Sequence, residues 1–160
     1  MTLRYWTYEL IGQKFWNEPA EIMSREKLDA FHLQRLKSLL NHAYQNSRFY
    51  REKWDSIGFH PQDVKTLDDF KTKVPLTDKK DFLHLQSENP LYGLTSAVQE
   101  DFMAHHCNTS GSTGAPLRIP FTMYDTERYG ESWVYGWWAL GIRPTDSFYF
   151  AFSFGSYAGF

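Results

Sequence analysis

An excess of positive charge is missing from this chain. Its 160 residues hold 17 Lys and Arg against 19 Asp and Glu, a formal charge of -2. Electrostatics therefore gives no support to a nucleic-acid partner. Cysteine is reduced to Cys107 alone, which rules out an internal disulfide framework. It fits a reducing, cytoplasmic setting in which Cys107 is a small packed filler. No run of 18 apolar residues occurs, so no membrane span is expected. The first six residues lack the apolar core of a secretory signal. His32 and His42 are too widely spaced for a metal pair one helical turn apart, and no internal repeat is evident.

Aromatic residues are plentiful: 13 Phe, 10 Tyr and 6 Trp, many of them in the last third. The sequence stops at Gly159-Phe160 within such a passage. A truncated product of something longer is the expectation, with self-association through exposed aromatics and strand edges.

Residues 1–20 read as an arm, with a short helix, laying Trp6, Phe15, Trp16 and their neighbours over the body. Ser24 is a fair N-cap, and Leu28, Phe31, Leu36, Leu39, Leu40 and Ala43 recur at helical spacing, predicting a helix over 24–44. A second helix is expected over 48–56, ended by Gly58 and Pro61. Thr66-Leu67-Asp68-Asp69 has capping-box spacing. Thr77 is read as the cap of a helix over 78–85, followed by loop over 86–96.

From about 99 the pattern changes. Residues 99–106 are expected as a strand, on which the adjacent His105 and His106 face opposite ways. Leu117–Phe121 is expected as an edge strand, because Pro120 interrupts it. Thr122–Asp125 again has capping-box spacing, opening a helix over 123–140 whose stripe of Tyr129, Trp133, Trp137 and Leu140, widened by Trp138 and Tyr135, is expected to be core. Ser147–Phe154 is expected as a central parallel strand covered on both faces.

Between the two earlier strands lies Thr109-Ser110-Gly111-Ser112-Thr113-Gly114-Ala115-Pro116. Hydroxyls and successive backbone N–H groups of this kind can line an anion site. The same composition also makes an ordinary turn. A Walker A loop is excluded, because Gly114 is followed by Ala115-Pro116 and not by Lys and a hydroxyl residue.

Three segments in order resemble the AMP-forming acyl-adenylate enzymes, in their phenylacetate–CoA ligase-like branch. The 109–116 run resembles that family's Ser/Thr-rich phosphate loop. Arg35-Leu36-Lys37 through Asn46-Ser47-Arg48-Phe49-Tyr50 resembles the branch's N-terminal helix and its "HAYENSPFYR"-type continuation. Gly141-Ile142-Arg143-Pro144-Thr145-Asp146 resembles its "GxxPGD" turn, and the passage from Phe152 to Gly159 its aromatic–glycine pocket loop. One position departs: the lysine between the last glycine and the proline is here Ala115, with Arg118 as a cation that would compensate.

The resemblance implies an α/β fold. An N-terminal arm and helical region over 1–98 would be followed, over 99–160, by the beginning of an α/β ATP- and acyl-binding subdomain, a truncated part of the large N-terminal domain. It implies ligation through an acyl-adenylate, with ATP, Mg²⁺ and coenzyme A as cofactors of the complete enzyme. The substrate would be a small carboxylic acid, an aryl acid by this branch's habit; nucleic acid and membrane are not expected partners. Thr109, Ser110, Gly111, Ser112, Thr113 and Gly114 would grip phosphate, and Phe152 and Tyr157 would face the acyl group. No catalytic or metal-binding residue is assigned here, since the family's other motifs belong to later sequence. The 160-residue chain is therefore expected to be inactive alone. The alternatives are an adenylating enzyme serving an amine or a carrier protein, and a noncatalytic interaction module.

Overall fold

The structure, a computed structural model, describes residues 10–89, 91–110, 114–151 and 155. In chain order it contains helices α1 (Glu18–Glu21), α2 (Arg25–Asn46), α3 (Arg48–Asp55), α4 (Leu67–Lys73) and α5 (Lys79–Glu88). Strands β1 (Met103–Asn108) and β2 (Arg118–Thr122) follow, and then helix α6 (Met123–Ala139). The fold is thus mixed α/β, with an N-terminal helical stretch and a small two-stranded sheet.

The helical stretch builds its own core. Ser24 caps α2 by accepting from the Lys27 N–H. The helix buries Leu40, with Leu33, Leu36 and Ala43 half-buried beside it. Ser47 then serves two helices. Its backbone N–H closes α2 onto Ala43, and its hydroxyl caps α3 by accepting from Tyr50. Wholly buried, that hydroxyl also donates to the carbonyls of Leu94 and Thr95 at 3.2 and 3.0 Å, satisfying it internally as burial demands. This fixes the approach to β1 against the α2–α3 corner. Trp54 of α3 packs with Leu40, Phe59 and Val64, and its ring stacks on Tyr44 and meets Phe59 edge-on. Offset and edge contacts of this kind add to the area term.

Local hydrogen bonds set the helix starts. Thr66 and Asp69 exchange side-chain-to-backbone bonds at 3.0 and 2.9 Å, the capping box expected from their spacing. The cap of α5 is Asp78, not Thr77: its Oδ1 accepts from Lys80 and Asp81 N–H at 2.8 and 3.1 Å. A carboxylate both accepts and carries the charge that a helix N-terminus favours, so it displaces the hydroxyl one residue earlier. The helix also runs further than expected, to Glu88, into residues read as loop. Lys53 reaches from α3 to Asp81 at 2.6 Å, and that bond, with the Asp78 backbone, holds the Asp81 carboxyl below the usual carboxylate range.

Strands β1 and β2 form one antiparallel hairpin. Cys107 opposes Ile119 and His106 opposes Pro120, with an irregularity between Met103 and His105. A sheet of two strands has only edges, which is where a residue without an N–H is tolerated. Cys107 is half-buried and free. Thr122 and Asp125 make the second expected capping box and turn β2 directly into α6.

The buried face of α6 is the edge of the expected stripe that Trp138 and Tyr135 widen, with Trp137 packed beside it. Val134 and Trp138 are buried against Leu10 and Trp16 of the N-terminal arm. The Trp138 indole donates to the Gln13 carbonyl at 3.1 Å, and Asn17 donates to the Tyr135 hydroxyl at 3.0 Å. Tyr129, Trp133 and Leu140, expected in the core, are exposed, Trp133 at 52%. Aromatics stand on several faces of this helix, so spacing alone could not choose. The arm's arrival on the 134/138 face decides. The expected strand over 147–154 is not formed over the described residues 147–151, which lie outside the two-stranded sheet. A central strand needs neighbours on both edges, and the described chain offers none. Residues 152–154 of that expectation, and Trp6 in the arm, lie outside the described residues.

Candidate functional site

The Ser/Thr/Gly segment occupies the tip of the β1–β2 hairpin. The Thr109 N–H donates to the Leu117 carbonyl, and the Leu117 N–H donates to the Thr109 hydroxyl oxygen, both at 2.9 Å. This reciprocal pair closes the neck of the loop just above the last ladder pair, Asn108 with Arg118. Beyond the neck, Ser110, Gly114, Ala115 and Pro116 are exposed. Gly114 has φ +147°, a conformation that favours glycine. Nothing lies near the position of a Cβ there, so its constraint is conformational and not steric. Gly111, Ser112 and Thr113 lie outside the described residues, as do Phe152 and Tyr157.

The loop's footing is set from α5. Gln86 is buried and uses both ends of its amide on one residue of β2. Its Nε2 donates to the Arg118 carbonyl at 2.7 Å, and the Arg118 N–H donates to its Oε1 at 3.1 Å. The side chain thus acts as a short neighbouring strand for β2. Arg118, expected to compensate for the missing cation at Ala115, donates its Nε to the Leu91 carbonyl at 2.6 Å. That bond ties its guanidinium to the turn after α5. The turn itself presses on the helix: a Cβ at Gly93 would sit 3.1 Å from Leu85 backbone and side chain, and φ there is +69°. Gln86, Leu91 and Gly93 carry no sequence motif, and 86–96 read as plain loop. Only the glycine, with its neighbouring Pro90, hinted at a constrained turn.

The two histidines of β1 diverge as expected. His105 stacks on Phe121 at 5.2 Å, on the side where Phe121 meets Tyr129 of α6. His106 meets Tyr92 edge-on at 6.1 Å, on the side of the α5 turn. Both are exposed.

A cleft of about 820 Å³ opens at the opposite end of the hairpin, lined by Leu39, His42, Val98, Phe102, Met123 and Tyr124 among others. Its walls are mainly apolar and include Asp101 and Asp125 but no Lys or Arg, so it does not suit a phosphate. Its position at the base of the hairpin separates it from the loop at the tip. Among the described residues, no group of three or more His, Cys, Asp or Glu could hold a metal ion, and no helix is long and apolar enough to cross a membrane.

No family model matches the chain. Individual relatives do. Over 142 residues it is 32% identical to the phenylacetate-coenzyme A ligase of Escherichia coli (strain K12) and 33% identical to that of Aromatoleum evansii, in each case across 89% of this chain and 31% of the relative. A crystal structure of 2-hydroxyisobutyryl-CoA ligase in the postadenylation state, in complex with 2-HIB-AMP, matches with a TM-score of 0.78 and 30% identity. That match covers 84% of this chain and 28% of the ligase chain. The chain therefore spans about a third of the length of the curated relatives it matches.

Proposed function

The chain belongs to the AMP-forming acyl-adenylate ligase superfamily, in its phenylacetate–CoA ligase-like branch, and from that premise we propose that it supplies the phosphate-gripping part of an ATP-dependent carboxylic acid–CoA ligase. The observation that carries this reading is the Ser/Thr/Gly loop at the hairpin tip, its neck closed by Thr109 and Leu117 and its footing held by Gln86. Beyond the closed neck, Ser110, Gly114, Ala115 and Pro116 are exposed. Hydroxyls and successive peptide N–H groups of a small-residue segment suit an anion.

In this reading Thr109, Ser110, Gly111, Ser112, Thr113 and Gly114 hold the terminal phosphates of ATP, with Mg²⁺ nearby. ATP supplies the adenylyl group that activates the acid. The chain's own contribution is to position and neutralise phosphate charge as it spreads. At the expected lysine position stands exposed Ala115, and the Arg118 Nε is committed to Leu91. The grip would therefore rest on N–H and O–H donors. Division of the chain near residue 98 into a helical region and an α/β subdomain belongs to the same proposal.

The acyl acceptor proposed is coenzyme A, since the named relatives are CoA ligases. The acid proposed is aromatic, with Phe152 and Tyr157 facing it. Two-hydroxyisobutyrate, handled by a structural relative, is not aromatic, so a panel of aromatic and branched acids with the complete enzyme decides this point. Because the chain spans 31% of the relatives' length, purified as the 160-residue polypeptide it is expected to form no acyl-CoA. Turnover above a no-enzyme control overturns that expectation.

Hydrogen exchange in the presence of pyrophosphate or ATP with Mg²⁺ tests the loop. Slowed exchange of the 109–115 amides is expected, and a stronger effect in Ala115→Lys. Unchanged exchange in both proteins would overturn the phosphate assignment.

A further inference from the structure

The cleft at the base of the hairpin lies apart from the loop at its tip. Three elements wall it: α2 at Leu39 and His42, the approach to β1 at Val98 and 101–104, and the beginning of α6 at 122–125. Leu39, Phe102, Met123 and Tyr124 are each more than half exposed there. At about 820 Å³ the cleft falls within the range of small-molecule sites, roughly 300–1,000 Å³. A second recess of about 320 Å³ continues it toward α5, where Tyr50, Phe82, Thr95 and Ser96 form the walls. His42, Val98, Met103, Thr122 and Asp125 line both. The two hollows thus make one trench, mainly apolar at the larger end and richer in hydroxyls at the smaller.

Charge selects the occupant. The trench walls carry the carboxylates of Asp101 and Asp125 and no Lys or Arg. Asp125 stands where the two hollows meet, and the cap of α6 draws on its Oδ2, which accepts from the Thr122 N–H and hydroxyl at 2.9 and 2.7 Å. Phe102 and Tyr124 add aromatic faces, and an ammonium is drawn to such a face as it is to a carboxylate. The Tyr124 ring already takes a cation: the Arg128 guanidinium lies 5.5 Å from its centroid, paired with Glu131 at 2.6 Å. An organic anion would meet two carboxylates in the trench and no Lys or Arg to offset them. We infer that the trench is a binding site for a small organic ammonium ion. Its apolar body lies against Leu39, Val98 and Met123, and its charge is shared by Asp101, Asp125 and the two aromatic faces. The assignment stands on the trench alone and does not depend on the phosphate reading of the loop.

Titration of the 160-residue chain, methyl-labelled at methionine, with phenethylammonium chloride tests this by NMR. Met103 and Met123 line the trench, whereas Met23 lies just before the Ser24 cap of α2. Saturable shifts are expected at Met103 and Met123 and none at Met23. Phenethyl alcohol keeps the apolar body without the charge, and phenylacetate reverses the charge. Each should bind at least about threefold more weakly than the amine, the worth of a solvent-screened charge pair. Asp101→Asn and Asp125→Asn should each weaken the amine by about the same threefold factor. Asparagine at 125 can still cap α6, and Asp101→Asn touches no helix cap, so one variant remains readable if the other fails to fold. Asp68→Asn, on α4, should leave the affinity unchanged. No saturable shift at Met103 or Met123 would overturn the proposal. So would phenylacetate binding as tightly as the amine, or full affinity in the Asp101→Asn and Asp125→Asn double variant. Pyrophosphate should not alter the amine titration, and the amine should not alter exchange of the 109–115 amides, so failure here and failure of the phosphate assignment are read separately.

Discussion

Two tryptophans stand for two halves of this molecule. Trp54 is 3% exposed in a core assembled from α2, α3 and the turn through Phe59 and Val64. Trp133 is 52% exposed on α6. Both sit on helices with sound caps, so helix formation does not distinguish them. What differs is the supply of neighbours. The α2–α4 region meets its apolar demand within about forty residues of sequence. Among the described residues, the short arm around Leu10 and Trp16 covers the Val134 and Trp138 face of α6, while Tyr129 and Trp133 stay about half exposed. A region whose partners are close in sequence closes its own core; one whose partners are distant does not.

Removing the two rings is the sharpest way to test that contrast. Trp54→Ala should cost about 3–5 kcal/mol in denaturant unfolding, as other large-to-small core changes do. An effect near zero would break the comparison by showing that the helical core is not tightly packed. Gln86→Leu should cost about 1–3 kcal/mol by leaving the Arg118 N–H and carbonyl without their buried partner. It should also speed exchange across β2, and unchanged β2 exchange would mean that the clamp does not hold the hairpin. Thr66→Ala removes a cap and should cost about 1 kcal/mol, read as a lower thermal midpoint with the hairpin's exchange unaltered.

Acid should loosen the helical half next, by a smaller amount because the groups are only half-buried and solvent screens them. The Asp69 and Asp81 carboxyls are both held below their ordinary range. Lys73 does this first for Asp69, with the Lys65 and Thr66 N–H groups, and Lys53 does it first for Asp81. Folded, each binds its proton less readily than in the unfolded chain. The stability they contribute is therefore present above the ordinary carboxylate value of about 3.9 and lost as pH falls through the lower folded values. Circular dichroism should show that loss, and it should shrink in Asp81→Asn. Trp133→Ser completes the series: at an exposed site it should change stability by no more than about 0.5 kcal/mol. A larger loss would mean that the aromatic face is already covered in solution.

Much of the helical half was legible from residues alone. Ser24, Thr66 with Asp69, and Thr122 with Asp125 act across three residues, so their spacing shows in the sequence as in the structure. The cap of α5 was misplaced by one position because Thr77 and Asp78 are both competent, and only the helix start selects between them. The loop at 109–116 was legible as a segment of small hydroxyl residues set between two strands, and their antiparallel pairing is shown by the structure. Its footing was not legible. A glutamine that is buried and doubly bonded looks like any glutamine until Arg118 is brought to it from thirty-two residues away.

What the sequence determined unaided is therefore whatever depends on neighbours along the chain: most helix starts, the two strands flanking the 109–116 loop, the divergence of His105 from His106, and the family likeness carried by ordered segments. Tertiary structure alone decided which face of α6 is buried, which atoms steady the hairpin, and that 147–151 stays outside the sheet. The physical reason is range. Capping and alternation arise within a few residues, whereas burial is settled by whichever distant segment reaches a surface, and Trp138 is covered because Trp16 arrives there.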